Sequence, residues 1–238
     1  MLVSMTAPKS ADQSSTAAVV LSGCGVYDGA EITEAVSILV ALDRAGVSYE
    51  CYAPDVPQRQ TIDHAKGSET RETRNVLVES ARIARGKIRP LSQCRAEDHL
   101  CLVFPGGFGA AKNLCSFAFD GTDLTVEPQT ERVLKAFHAA GKPIGLACIA
   151  PVLAAAVFGR AGIGPQVTIG TDATTADAIN QLGGRHLATD ETGIVIDEEN
   201  RLVTTPCYMN DVGPYTVFVG AAKMVDAVLD LARAAATA

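Results

Sequence analysis

This 238-residue chain has no CxxC pair and an odd total of seven cysteines without paired spacing, so it carries no disulfide framework and fits a reducing compartment. Its four histidines, His64, His99, His138 and His186, lie far apart, and none stands three or four positions from another histidine or a cysteine. Metal-ligand spacing is therefore missing, and no metal is expected. The opening MLVSMTAPKSADQSSTA lacks the apolar run that a secretory signal needs. Residues 1–16 read as a disordered tail, and the protein is expected in the cytoplasm. Nor does any stretch reach the roughly 20 mostly apolar residues of a membrane span. The greasiest, IGLACIAPVLAAAVF from Ile144 to Phe158, sits between Lys142 and Arg160 and contains Gly145 and Pro151, which makes it soluble core. The net charge of −7 is not offset by any basic patch, since the densest basic run, Arg82 to Arg89, is a mixed helix end. Nucleic acid and membrane are thus not expected partners. Repeats, low-complexity blocks and linkers are absent too, leaving 17–238 as one domain.

What is present alternates. Short β-branched apolar runs exchange with helical patterns from residue 17 onward, predicting an α/β three-layer sandwich with a mainly parallel central sheet and helices on both faces. Strands are expected at 17–23, 47–54, 99–107 and 143–147, and near Gln166 to Ile169, with a hairpin over 193–206 turning at Glu198, Glu199 and Asn200. Helices are expected at 31–46, with Ile32, Ala35, Val36, Leu39 and Leu42 on one face, and around Arg71, Arg74, Val76, Leu77 and Ile83. Others follow at 127–141, after Cys148, at 175–182, and from about Gly220 to the end.

In an open α/β sheet, ligands collect at the carboxyl ends of the strands. That singles out SGCGVYDGAE after the first strand, FPGGFGAAKN after the Phe104 strand, and ACIAP after the Ala147 strand. Cys148 falls between the end of a buried strand and a helix start marked by Pro151, the position of a nucleophile on a sharp elbow. Helix N–H groups there favour an anion, predicting a lowered thiol pKa. The same cysteine also reads as a small core residue in an apolar segment. The PGG at 105–107 supplies backbone N–H groups with no side chain in the way, as an oxyanion pocket requires. Tyr27, Asp28, Lys112, Asn113 and Tyr208 come from loops expected to rim the crevice, with Gly106 and Cys24 beside them. Lys112 and Asn113 are candidates to fix a carbonyl or carboxylate, although a solvated lysine reads equally well. Cys24 is either packing or a thiol able to resolve an oxidised Cys148.

SGCGVYDGAE, ETRNVL, FPGGFGAAKNL, CIAP, TIGTD and VTTPCYM, in this order and spacing, resemble the ElbB group (isoprenoid biosynthesis glyoxalase, sigma cross-reacting protein) of the PfpI superfamily. The likeness runs from about Ala17 to the C-terminus. It implies a flavodoxin-like, class I glutamine amidotransferase-like fold and a homodimer. It also implies Cys148 as nucleophile, Glu34 rather than Glu31 as the carboxyl bonded to its sulfur, and Gly107 and Ile149 as oxyanion donors. Glu34 also reads as a first-turn carboxylate complementing the helix dipole. The departures matter as well. Ile149 stands where peptidase-like members place a histidine, and His186 is followed by Leu187 and Ala188, so no His-x-Glu pair completes an amidotransferase triad.

A Cys-Glu site of this kind implies a cofactor-free, glutathione-independent glyoxalase of the glyoxalase III type, a lyase acting on a small dicarbonyl such as glyoxal or methylglyoxal. A thiol-based redox sensor or repair factor, and a non-catalytic regulatory binding protein linked to isoprenoid metabolism, are the alternatives.

Overall fold

The computed structural model describes residues 16–236. Of the tail expected over 1–16, residues 1–15 lie outside the described residues, while Thr16 already belongs to the first strand. In chain order the first half comprises β1 (Thr16–Val20), α1 (Ile32–Arg44), β2 (Ser48–Ala53), β3 (Ile62–Asp63), β4 (Ser68–Glu69), α2 (Val76–Ile83), β5 (Ile88–Pro90) and β6 (His99–Phe104). There follow α3 (Phe108–Lys112), α4 (Phe117–Asp120), α5 (Pro128–Ala139), β7 (Ile144–Ala147) and α6 (Pro151–Ala154), which runs into a π turn at Ala155–Gly159. The chain closes with β8 (Gln166–Val167), α7 (Ala173–Gln181), β9 (Arg185–His186), β10 (Val195–Asp197), β11 (Leu202–Thr205) and α8 (Pro214–Ala236).

Seven strands form one sheet in the order β10-β11-β7-β6-β1-β2-β5, parallel throughout except for the β10-β11 hairpin. Alternation along β1 sends Ala18 and Val20 to one face and Ala17 and Val19 to the other. On the first face Leu102, Phe104, Ile144 and Leu146 pack against Val133, Leu134 and Phe137 of α5 and the apolar run Val152–Phe158. On the second, Cys101, Val103 and Val203 pack against α1 and α8 through Ile38, Leu42, Met224, Val225 and Val228. Strands buried on both faces are why IGLA reads as unbroken apolar sequence. The result is the expected three-layer α/β sandwich.

Several boundaries differ from the sequence pattern. On α1 the buried stripe is Ala35, Ile38, Leu39 and Leu42, while Ile32, Val36 and Val40 form an exposed apolar row. α2 starts only at Val76, because Asn75 caps it by accepting from the Val78 amide at 3.0 Å; Arg71 and Arg74 precede the helix. Arg74 instead bridges Glu72 at 2.6 Å and Glu79 at 3.6 Å, so Arg74 and Asn75 both hold local structure. α8 begins at Pro214, since proline suits the first helical turn and Gly220 is tolerated within it. The strand near Gln166 pairs with β9 rather than joining the main sheet, and the edge strand β5 and the β3-β4 hairpin are too short to leave a periodic signal.

Candidate active site

At the carboxyl end of β7 the backbone turns sharply at Cys148, whose φ of 59° is a left-handed conformation that costs a non-glycine residue about 1 kcal/mol or more. The turn is held on one side by the Cys148 amide donating to the Thr205 carbonyl at 2.9 Å, and on the other by Pro151 opening α6. Next door, β6 ends in Pro105-Gly106-Gly107. Here the Glu31 amide donates to the Gly106 carbonyl at 3.0 Å, and Gly107 takes a φ of 89°. A side chain at Gly107 would lie 2.3 Å from the Glu31 nitrogen, so only glycine lets this loop lie against the start of α1.

Glu34, in the first turn of α1, is fully buried between these loops. Its Oε2 accepts the Gly106 amide at 2.9 Å, its Oε1 accepts the Tyr208 amide at 3.2 Å, and its carboxyl is hydrogen-bonded to the Cys148 thiol. The Gly107 and Ile149 amides also point at that sulfur. Four segments far apart in sequence thus converge on one sulfur and one carboxyl. Above them lies a cavity of about 220 Å³, walled by Val26, Glu31, Phe108, Asp172, Tyr208 and Met209 together with Gly107, Cys148 and Ile149.

The electrostatics reverse one expectation. Burial, and then the Glu34 carboxylate, push the Cys148 thiol well above its ordinary value, outweighing the two amides that favour a thiolate. The expected lowering rested on a helix N-terminus, yet α6 is only one turn long before its π turn. Glu34 itself is raised to about 7 by burial and by the nearby Glu31 charge, against the amides of Tyr208 and Gly106 and the Cys148 thiol that favour its carboxylate. At neutral pH the thiol is neutral and Glu34 is divided between its acid and its carboxylate, the carboxylate form accepting from the thiol and able to take its proton.

Of the other residues singled out from sequence, Tyr208 lines the cavity, while Gly106 stays out of its walls and lies directly against Cys148 and Glu34. Asp28, Lys112, Asn113 and Cys24 are absent from its walls. Asp28 is buried and accepts the Ile62 amide at 2.6 Å. Lys112 donates to the Tyr27 carbonyl at 2.8 Å and sits 5.3 Å over the Phe108 ring. Asn113 is buried, giving hydrogen bonds to the carbonyls of Ser22 and Asp28 and accepting from the Arg59 amide. Half-buried Cys24 is raised by burial and by the Glu79 charge. The short polar side chains that seemed to rim the crevice are therefore consumed in bracing the loop that frames it. Val26, Phe108, Asp172 and Met209 were not picked out from sequence, although each lies inside or beside one of the quoted motifs. Glu31, set aside there as the carboxyl partner of the sulfur, caps α1 by accepting the Glu34 amide at 2.7 Å and faces the cavity.

Comparison with known proteins gives relatives across nearly the whole chain, while no family model matches. The chain is 51% identical over 224 residues to the human glutamine amidotransferase-like class 1 domain-containing protein 3, mitochondrial, covering 90% of this chain and 82% of that protein. It is 34% identical over 231 residues to the zebrafish ES1 protein, mitochondrial, covering 89% and 84%. Among solved structures, an isoprenoid biosynthesis protein with an amidotransferase-like domain from Ehrlichia chaffeensis superposes with a TM-score of 0.85 at 38% identity, over 91% of this chain and 98% of that one. Drosophila melanogaster DJ-1beta shares the fold alone, with a TM-score of 0.52 at 19% identity over 94% and 99%. The mitochondrial names of the curated relatives overturn the expectation of a cytoplasmic protein. The missing apolar run argued only against a secretory signal; organelle targeting segments are amphipathic and need no such run.

Proposed function

Because the chain belongs to the ElbB-like ES1 family, with the PfpI-type class I glutamine amidotransferase-like fold, we propose that it is a cysteine-dependent, glutathione-independent glyoxalase, and that it works in the mitochondrion as its relatives' names indicate. The observation that carries this reading is the hydrogen-bonded Cys148-Glu34 pair at the base of a small cavity, with two amides converging on the sulfur.

Cys148 attacks the aldehyde carbon of methylglyoxal while its proton passes to Glu34, giving a hemithioacetal. The Gly107 and Ile149 amides, freed from the sulfur as it bonds to carbon, stabilise the developing alkoxide. Glu34 returns the thiol's proton to that alkoxide oxygen; the carboxylate so regenerated takes the proton from the former aldehyde carbon and delivers it to the neighbouring carbon through an enediol, the hydroxyl proton passing from one enediol oxygen to the other, leaving a 2-hydroxyacyl thioester. Water hydrolyses the thioester to the hydroxy acid and the free thiol. Mostly buried and not ionised at neutral pH, Cys148 is poorly suited to redox sensing, which favours low-pKa, exposed thiols. We also propose the homodimer that the resemblance implies; light scattering that returned the mass of one chain would rule it out.

The test is lactate formation from methylglyoxal, and glycolate formation from glyoxal, without glutathione. Cys148→Ala should abolish both. Turnover that persists in that variant, or none in the wild type with an intact thiol, overturns the reading.

A further inference from the structure

Beside the cavity over Cys148 lies a wider mouth, and Asp172 and Met209 belong to the walls of both. Charge in these two spaces has one sign. Glu31 and Asp172 face the inner cavity, and Asp172, Asp190, Glu191 and Asp211 line the mouth. No lysine, arginine or histidine among the described residues lines either space. Two nearby lysines are occupied elsewhere: Lys112 is held on the Tyr27 carbonyl, and Lys223 reaches the carbonyl and hydroxyl of Thr192.

Asp172 is the pivotal member, because its position is built rather than free. It caps α7, its Oδ1 accepting the Thr175 amide at 2.8 Å, which fixes the carboxylate in the wall common to the two spaces. Those bonds also hold its pKa below the ordinary carboxylate value, so it is charged at neutral pH. A ligand at Cys148 lies in a cavity walled by Asp172 and Glu31, with buried Glu34 beside the sulfur and no lysine, arginine or histidine in the walls to compensate a negative group of its own.

We propose that Asp172 is a specificity-determining residue: the acidic mouth admits neutral and cationic aldehydes, amino-aldehydes included, and turns away those bearing a carboxylate or phosphate. The same field favours departure of the hydroxy-acid anion. This rests on the carbonyl chemistry proposed for Cys148, but charge selection can be read without turnover.

The experiment measures modification of Cys148 by three methanethiosulfonates, the cationic 2-aminoethyl, neutral methyl and anionic 2-sulfonatoethyl reagents. Rates are followed by peptide mapping and normalised to those with β-mercaptoethanol. At low salt the cationic reagent should outpace the anionic one by on the order of tenfold, and the ratio should shrink toward one in 1 M salt. Asp172→Asn keeps a good helix cap, so the fold should persist, and it should cut the ratio several-fold. Asp43→Asn, at the far end of α1, should leave it unchanged. Equal normalised rates in the wild type, or a ratio untouched by Asp172→Asn, overturn the proposal whether or not methylglyoxal is consumed. Loss of dicarbonyl turnover with the charge ratio intact would instead strike only the glyoxalase reading.

Discussion

Glu34 Oε2 accepts the Gly106 amide at 2.9 Å, and a Cβ built on Gly106 would stand 2.9 Å from that same oxygen. The glycine both orients the carboxyl and leaves room for it. That Cβ would also lie 2.4 Å from the Cys148 Cβ and 2.9 Å from its sulfur, so Gly106→Ala must push nucleophile and carboxyl apart. The expected cost is about 1–3 kcal/mol of stability from overpacking, with turnover lost well below the melting temperature. A Gly106→Ala enzyme with wild-type kcat would show that the thiol and carboxyl need not touch.

Thiol reactivity separates Cys148 from the other cysteines by access and by its base. Cys51, Cys94, Cys101, Cys115 and Cys207 are buried, and burial pushes Cys94, Cys101 and Cys115 up to about 12. Iodoacetamide under native conditions should therefore mark only Cys148 and half-buried Cys24, with Cys148 ahead because Glu34 accepts its proton. Glu34→Gln removes that acceptor and should slow Cys148 alkylation by roughly 10²-fold, leaving Cys24 first. Peptide mapping of limited labelling decides the order, and an unchanged Cys148 rate in Glu34→Gln would make the carboxyl a structural group.

Burial of Glu34 carries a stability signature. Its pKa is about 7 in the fold against an ordinary 4.5, so between these values the folded state binds more protons than the unfolded one. Stability from this group therefore falls as pH rises from about 4.5 to about 7 and is level above, a total of roughly 3 kcal/mol. Gln at this position sets its amide NH₂ against either the Gly106 or the Tyr208 N–H, a cost that does not vary with pH. Urea melts should show wild type losing ground to Glu34→Gln across that interval; parallel curves would contradict the raised pKa.

The layers of this fold were legible because apolar periodicity reports burial directly: IGLA, buried on both faces, and the hairpin turning at Glu198 to Asn200 lie where the pattern put them. On α1 the pattern misled. Ile32 and Val36 fit a helical stripe as well as Ile38 does, and only the docking of α8 decides which stripe is covered. At the site, the glycines and the cysteine elbow were readable because special backbone geometry restricts residue choice. Whether a polar side chain faces a ligand or braces a loop depends on contacts such as Asn113 with Ser22, ninety-one positions apart, which no local pattern encodes. The Cys148 pKa was misjudged for a similar reason: sequence shows the helix behind the thiol but not how completely it is buried.

Asn113 offers the sharpest separation of bracing from binding. Its amide spans three partners, donating to the carbonyls of Ser22 and Asp28 at 2.9 Å each and accepting the Arg59 amide at 3.0 Å. It thereby ties the loop carrying Gly29 to Glu31, which in turn abuts Gly106 and Gly107, to the end of α3. Asn113→Ala strands two carbonyls and one N–H in a buried setting, which should cost about 2–4 kcal/mol. Asn113→Asp keeps the acceptor for Arg59 but turns a second oxygen toward two carbonyls, so at pH 8 it should be no more stable than the alanine variant. A bracing residue touches no substrate, so the KM for methylglyoxal, measured well below the melting temperature, should stay within about twofold of wild type while kcat falls with the loosened loop. If instead KM rises tenfold or more with stability unaltered, Asn113 meets the substrate, and the cavity over Cys148 extends to the far side of Lys112.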